Sequence, residues 1–202
     1  MARMKVEQNV SRKNIIISNA ATLFKERGYK ATSMRDLAEK VGIEAASLYN
    51  HITSKRELLN TICFNVAGRF TNKITEVEAD ERDSLARIEK LLRYHVWEMI
   101  NNYDEVYVSD REWRNMEDPH LTEYRELRRS YRKRFAAIVQ QGINHKELKD
   151  MDALTAVMIF LNAIQAVDQW HRIVHKVSSA ELEENMVTLI INGIAKQEVS
   201  KK

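Results

Sequence analysis

Between Thr32 and Lys55 the chain places hydroxyl, guanidinium, phenol, amide, imidazole and ammonium groups at short intervals: Thr32, Ser33, Arg35, Ser47, Tyr49, Asn50, His51 and Lys55, with the carboxylate of Glu44 among them. These groups suit recognition better than bond-making. Hydroxyls, cations and backbone N–H groups bind phosphate, and short polar side chains read the donors and acceptors on base edges. Thr32, Ser33 and Arg35 open a helix, where N–H groups and the helix dipole favour an anion. Lys55 opens a later helix and adds a cation toward phosphate. Asn50 and Glu44 are the base-edge candidates, since a carboxylate can accept from a cytosine amino group. Ser47 lies on the same outer half as Tyr49, Asn50 and His51. Arg3 and Lys5 form an arm with reach into a minor groove.

Two short helices must hold these groups. Ser33 and Asp36 are spaced as a capping box, Leu37, Ala38 and Val41 face inward, and Gly42 makes a turn. A third helix over about Ala45 to His51 follows, anchored by Leu48. This is a helix-turn-helix, whose second helix enters the DNA major groove. Before it, the spacing predicts a first helix from an N-cap at Ser11 to Gly28, with Ile16, Ala20, Leu23 and Phe24 buried.

Charge agrees with that placement. Residues 1–60 hold 11 Lys/Arg and 6 Asp/Glu, a surplus of +5, and the remainder holds 21 and 23, a deficit of −2. A basic first quarter on a neutral body suits a polyanion. With five glycines and one proline the chain has too few breakers for a β-sandwich or barrel, so an all-α fold is expected. Cys63 is the only cysteine, which excludes an intrachain disulfide and fits a reducing compartment. No secretory leader is legible at the start, and the most apolar stretch, 153–167, is shorter than a membrane span. A cytoplasmic, nucleoid-associated protein is the expectation.

Ser54 and Glu57 predict a capping box opening a helix to about Val77, which connects a head (residues 1–55) to a larger helical domain (56–202). Further helices are expected over about 84–100, 104–115, 119–145, 150–175 and 179–197, with Ser178 and Glu181 capping the last. Residues 1–8 and 198–202 are expected to be disordered. Residues 153–167 are apolar nearly all round, and Leu182, Met186, Leu189, Ile190, Gly193 and Ile194 stripe the last helix. Such helices need cover on more than one side. A two-fold four-helix interface through about residues 150–197 supplies it.

Roughly residues 11–60 resemble the TetR family of bacterial regulators. The resemblance rests on Ala20-Ala21-x-Leu23-Phe24-x-x-x-Gly28-Tyr29, Thr32-Ser33-Met34-Arg35-Asp36-Leu37-Ala38, Val41-Gly42-Ile43, and Leu48-Tyr49-x-His51-x-x-Ser54-Lys55-x-x-Leu58-Leu59. It implies a homodimeric, all-helical repressor of a palindromic operator, released by a small molecule bound in the C-terminal domain. It also implies backbone phosphate contacts for Tyr49 and His51. Ile52 replaces the family's usual Phe, and Glu44 replaces the Ser that commonly caps the third helix.

On the helix from 119, Leu121, Tyr124, Tyr131, Phe135 and Ile138 form an apolar stripe that includes Arg128. Residues 121–135 carry six Lys/Arg against two Asp/Glu. Arg128 has two readings. One is an ion pair with Asp110, Glu112 or Glu117; the other is an anionic ligand with an apolar portion. Arg128-x-x-Tyr131 with Trp170 resembles the acyl-CoA-responsive branch of the family. That resemblance makes Arg128, Tyr131, Arg132, Asn162, Gln165 and Trp170 candidate ligand contacts. His171 and His175 have a metal-compatible spacing but no third ligand, so no metal or other cofactor is expected. His95 reads as a hydrogen-bonded core residue. An enzyme is not expected, because no phosphate loop, nucleophile elbow or metal tetrad is present. A helical adaptor that binds protein is the alternative, and the segregated basic head counts against it.

Overall fold

The computed structural model describes residues 2–80, 82–174 and 177–196, with side chains from residue 12 onward. Among them the elements are all helical: α1 (Ala2–Arg27), α2 (Met34–Val41), α3 (Ala45–Tyr49), α4 (Lys55–Glu78), α5 (Ser84–Asn101), α6 (Tyr103–Arg111), a 3₁₀ turn (Trp113–Asn115), α7 (His120–Asn144), α8 (Ala153–Ile164), α9 (Val167–Arg172) and α10 (Ser179–Ile194). No helix among the described residues is long and apolar enough to cross a membrane.

Two compact units form, Met1–Gly68 with Tyr103–Arg125, and Arg69–Asn102 with Glu126–Lys202. This division runs differently from 1–55 and 56–202. The cause is apolar packing: Val108, Met116 and Tyr124 are buried in one cluster with Phe24, Leu48, Leu58 and Ile62. The Tyr124 hydroxyl is satisfied there by Ser109, 3.1 Å from its carbonyl and 2.6 Å from its hydroxyl. A buried phenol without such partners would cost about 1–3 kcal/mol.

In the first unit, Gly28 (φ 84°) and Gly42 (φ 74°) end α1 and α2 in the left-handed region. A Cβ disfavours that region, so glycine is what allows both turns. Ser33 and Asp36 form both halves of the capping box on α2. Leu48 is the one buried side chain of α3, so this short helix is held by a single anchor. Lys13–Glu57 (3.2 Å), Arg27–Asp36 (3.3 Å) and Arg56–Glu117 (2.7 Å) add ion pairs around this core.

In the second unit, α5 buries Ile88, Leu91, Leu92, Val96 and Met99. α8 turns Ala156, Val157, Phe160 and Ile164 inward, while Leu154, Met158 and Ile159 stay exposed. Asp152 caps α8, and Ser178 with Glu181 forms a complete capping box on α10.

Some helix ends differ from the sequence reading. α1 continues back to Ala2, so Ser11 is no N-cap and residues 2–8 are helical. The expected helix over 150–175 is two, because Gln165, Ala166 and Asp168 turn to bonds with carbonyls three residues back. α3 stops at Tyr49, which leaves Asn50 and His51 in the following turn. At α4, Glu57 reaches past Ser54 to Thr53, accepting from its N–H at 2.7 Å and its hydroxyl at 2.8 Å. The Ser54 hydroxyl still accepts from the Glu57 N–H at 3.1 Å. Residues 198–202 lie outside the described residues.

Candidate functional site

In the first unit α2 and α3 meet through the Gly42 turn, where the Ile43 N–H donates to Ala38 O at 3.0 Å. Tyr49 is 52% exposed, although its ring is large and apolar. Asn50, Glu44 and Arg35 are exposed, and Ser47 and His51 are half-buried. These six present one set of acceptors, donors and cations to solvent around a five-residue helix. Glu44 occupies the N-cap position of α3 without a side-chain capping bond, so its carboxylate is not tied down by the helix it precedes.

Three residues expected beside phosphate are engaged within the protein. Thr32 is buried, and its hydroxyl donates to Gly28 O at 2.9 Å, so the expected side-chain phosphate contact is not available. The cause is the Gly28 turn, whose carbonyls need a donor. The Ser33 N–H and hydroxyl both donate to Asp36 Oδ2, at 2.7 and 2.5 Å. The Asp36 carboxylate therefore stands where an anion would approach. Lys55 Nζ donates to Tyr29 O (2.8 Å), Thr32 O (2.7 Å) and Lys30 O (3.3 Å). It also lies 4.5 Å from the centre of the Tyr29 ring. The side chains of Arg3 and Lys5 lie outside the described residues.

In the second unit, Tyr131 on α7 lies among rings. Its hydroxyl is 2.7 Å from His95 Nε2, and His95 stacks on Phe70 at 4.4 Å. Phe135 joins from the same helix and Phe160 from α8. Burial pushes the Tyr131 phenol pKa well up, so it stays neutral. Arg128 and Arg132 are half-buried on α7. The Arg132 pKa is lowered, first by burial and then by the charges of Arg128 and Arg129. An anion placed against this cluster would offset the repulsion from Arg128 and Arg129. Glu117 binds Arg56 at 2.7 Å and Glu112 binds Asn115 at 2.7 Å.

The other candidate ligand residues lie on or beside α8 and α9. Asn162 is exposed, donates to Met158 O at 2.8 Å, and shares the solvent-facing side of α8 with Met158 and Ile159. Gln165 is half-buried at the C-cap of α8. The Trp170 indole N–H donates to Val177 O at 2.9 Å, and the ring meets His171 edge-on at 5.1 Å. His171 Nε2 lies 2.9 Å from Met99 O, and His175 lies outside the described residues. No group of three or more potential metal ligands occurs among the described residues.

Sequence reasoning missed Glu98. Its carboxylate is fully buried, accepts from Arg69 Nε with both oxygens at 3.1 Å, and also from the Tyr94 hydroxyl (2.7 Å) and Asn102 amide (3.0 Å). The signal was present. Glu98 falls at the helical spacing of Ile88, Leu91 and His95, a charge inside an apolar stripe. It also missed an open groove of about 540 Å³ lined by Lys73, Lys90, Arg93, Tyr94, Trp97 and Glu183. Its cations are already matched: Lys90 binds Glu76 at 2.7 Å and Arg93 binds Glu183 at 3.1 Å.

Known proteins share this arrangement. Residues 16–62 match the family model for bacterial regulatory proteins of the tetR family, and residues 81–194 match that for the tetracyclin repressor-like C-terminal domain. The HTH-type transcriptional repressor KstR2 of Rhodococcus jostii is 25% identical over 186 residues, 91% of this chain and 91% of the relative. The solved ketosteroid transcriptional regulator KstR2 of Mycobacterium tuberculosis superposes with a TM-score of 0.85 at 21% identity, covering 92% of this chain and 96% of that one. AibR, solved in complex with isovaleryl coenzyme A and operator DNA, gives a TM-score of 0.78 at 20% identity over 88% of this chain and 97% of its own. At such identities the two structures speak for the fold. With one model on the helix-turn-helix and the other on more than half of the chain, this protein belongs to the TetR family of helix-turn-helix, ligand-responsive transcriptional repressors.

Proposed function

We propose that the chain binds a palindromic DNA operator as a homodimer, lodging α3 of each protomer in a major groove, and that an anionic amphiphile of the acyl-coenzyme A type releases it. The observation that carries the DNA reading is the exposure of Tyr49 and Asn50 around α3, a helix held by Leu48 alone. A phenol and an amide standing side by side in water at the end of a short helix can donate to and accept from groups in a DNA groove. Tyr49, His51 and Arg35 serve phosphate in this reading, while Asn50, Glu44 and Ser47 face base edges. The phosphate set is smaller than the sequence suggested, because Thr32 and Lys55 are engaged internally.

The homodimer rests on α8 and α10. Met158 (51%), Ile159 (60%) and Leu189 (76%) are exposed on helices whose opposite faces are buried. Apolar surface of this kind marks an interaction face. A second copy offers the same apolar helices and closes a two-fold interface.

The effector class follows from α7. Half-buried Arg128 and Arg132 suit phosphate or carboxylate, and the rings around Tyr131 suit an acyl chain. AibR, a relative in fold, was solved with isovaleryl coenzyme A. The test is fluorescence anisotropy with duplex taken from upstream of the protein's own gene, titrated with isovaleryl coenzyme A. Tight binding that the thioester reverses supports the whole reading. Binding that coenzyme A thioesters leave unchanged removes the effector class and keeps the regulator.

A further inference from the structure

A lysine ammonium has three N–H donors. Lys55 directs its ammonium at three backbone carbonyls, those of Tyr29 (2.8 Å), Thr32 (2.7 Å) and Lys30 (3.3 Å). The Tyr29 ring closes over it at 4.5 Å. The phosphate contact expected from its place at the start of α4 would have to break these bonds. From this we infer that Lys55 is a positioning residue for DNA binding: it clamps the α1–α2 turn and so fixes where the N-terminus of α2 points.

The geometry says how the clamp works. A trans peptide sends its C=O and N–H in opposite directions. Lys55 holds the Thr32 carbonyl inward, and the N–H of the next residue, Ser33, then faces the N-terminus of α2, where Asp36 Oδ2 takes it at 2.7 Å. The Thr32 hydroxyl secures the same turn by donating to Gly28 O at 2.9 Å. The turn is thus gripped from α4 by a residue 23 to 26 positions away in the chain. Three converging carbonyls suit a compact ammonium. A planar guanidinium fits them poorly, although it serves phosphate at least as well. The inference rests on the DNA-binding reading for its consequence, while the clamp itself exists in the unbound protein.

The experiment uses the full chain with Lys55→Met and Lys55→Arg. Hydrogen exchange without DNA comes first: residues 30–36 are expected to exchange faster in Lys55→Met, and unchanged protection there would overturn the clamp whatever the protein does with DNA. Binding to duplex from upstream of its own gene is then measured against salt, on protein shown folded by its thermal melt. The expected result is binding weaker by on the order of tenfold in both variants with the salt slope kept. A slope reduced by about 0.9 in Lys55→Met, with Lys55→Arg binding like the original, would make Lys55 a phosphate contact and overturn the inference. So would unchanged affinity in both variants, which would leave Lys55 with a role in stability alone.

Discussion

Ser33 and Asp36 cap α2 reciprocally, the Ser33 hydroxyl accepting from the Asp36 N–H at 3.1 Å and the Asp36 carboxylate accepting from the Ser33 N–H at 2.7 Å. Bonds from the Ser33 hydroxyl and backbone hold the Asp36 carboxyl below its ordinary value of 3.8. A carboxyl with a depressed folded pKa adds stability above its unfolded pKa and loses it as pH falls through the lower folded one. The thermal midpoint of the original protein should therefore fall toward that of Asp36→Asn as pH drops below about 4. Melting curves that stay equally separated from pH 6 to pH 2 would show that the cap does not couple to the charge.

Glu98 is buried with Arg69, Tyr94 and Asn102 around it. Removing one partner of a buried pair leaves the other uncompensated, at about 3–5 kcal/mol. Glu98→Ala should lose stability near the lower end of that range, because Arg69 keeps some access to water. Glu98→Gln should lose less, since its amide oxygen can still accept. Urea unfolding of both variants checks this, and equal losses would mean that shape, not charge, fills the site.

Exposed Met158 and Leu189 predict the assembly. Met158→Asp with Leu189→Asp should convert a dimer to a monomer in native mass spectrometry, with little change in helical content by circular dichroism. Dimers that survive both charges would place the interface elsewhere.

Arg128 and Arg132 predict the effector response. Arg128→Ala with Arg132→Ala should leave duplex binding intact without isovaleryl coenzyme A and abolish its reversal by the thioester. Reversal at the original concentration would remove α7 from the effector site.

How much was legible follows from the distance over which each role is decided. Gly28, Gly42 and the Ser33–Asp36 and Ser178–Glu181 boxes act within a few residues, and the sequence shows all of them. His95 as a hydrogen-bonded core residue was legible too, from its place on an apolar stripe. Lys55 was not, because what it binds lies 23 to 26 residues earlier and only folding brings the two together. Thr32 misled for the same reason, since a hydroxyl at a helix start looks the same whether it meets phosphate or a carbonyl behind it. The packing of Tyr124 with Phe24, Leu48, Leu58 and Ile62 crosses 62 to 100 positions in sequence, so no local pattern announces it. The break at Gln165–Ala166 carries neither glycine nor proline to mark it.

The central claim is that α3 reads DNA twice per assembled pair, and a salt-controlled comparison of two duplexes tests it most directly. Anisotropy at fixed ionic strength should show tighter binding to duplex from upstream of the protein's own gene than to random duplex, by roughly a thousandfold or more. Hydroxyl-radical footprinting should show two protected patches separated by a whole number of helical turns, about 10 base pairs each. Equal affinity for both duplexes, or one protected patch, would contradict the account.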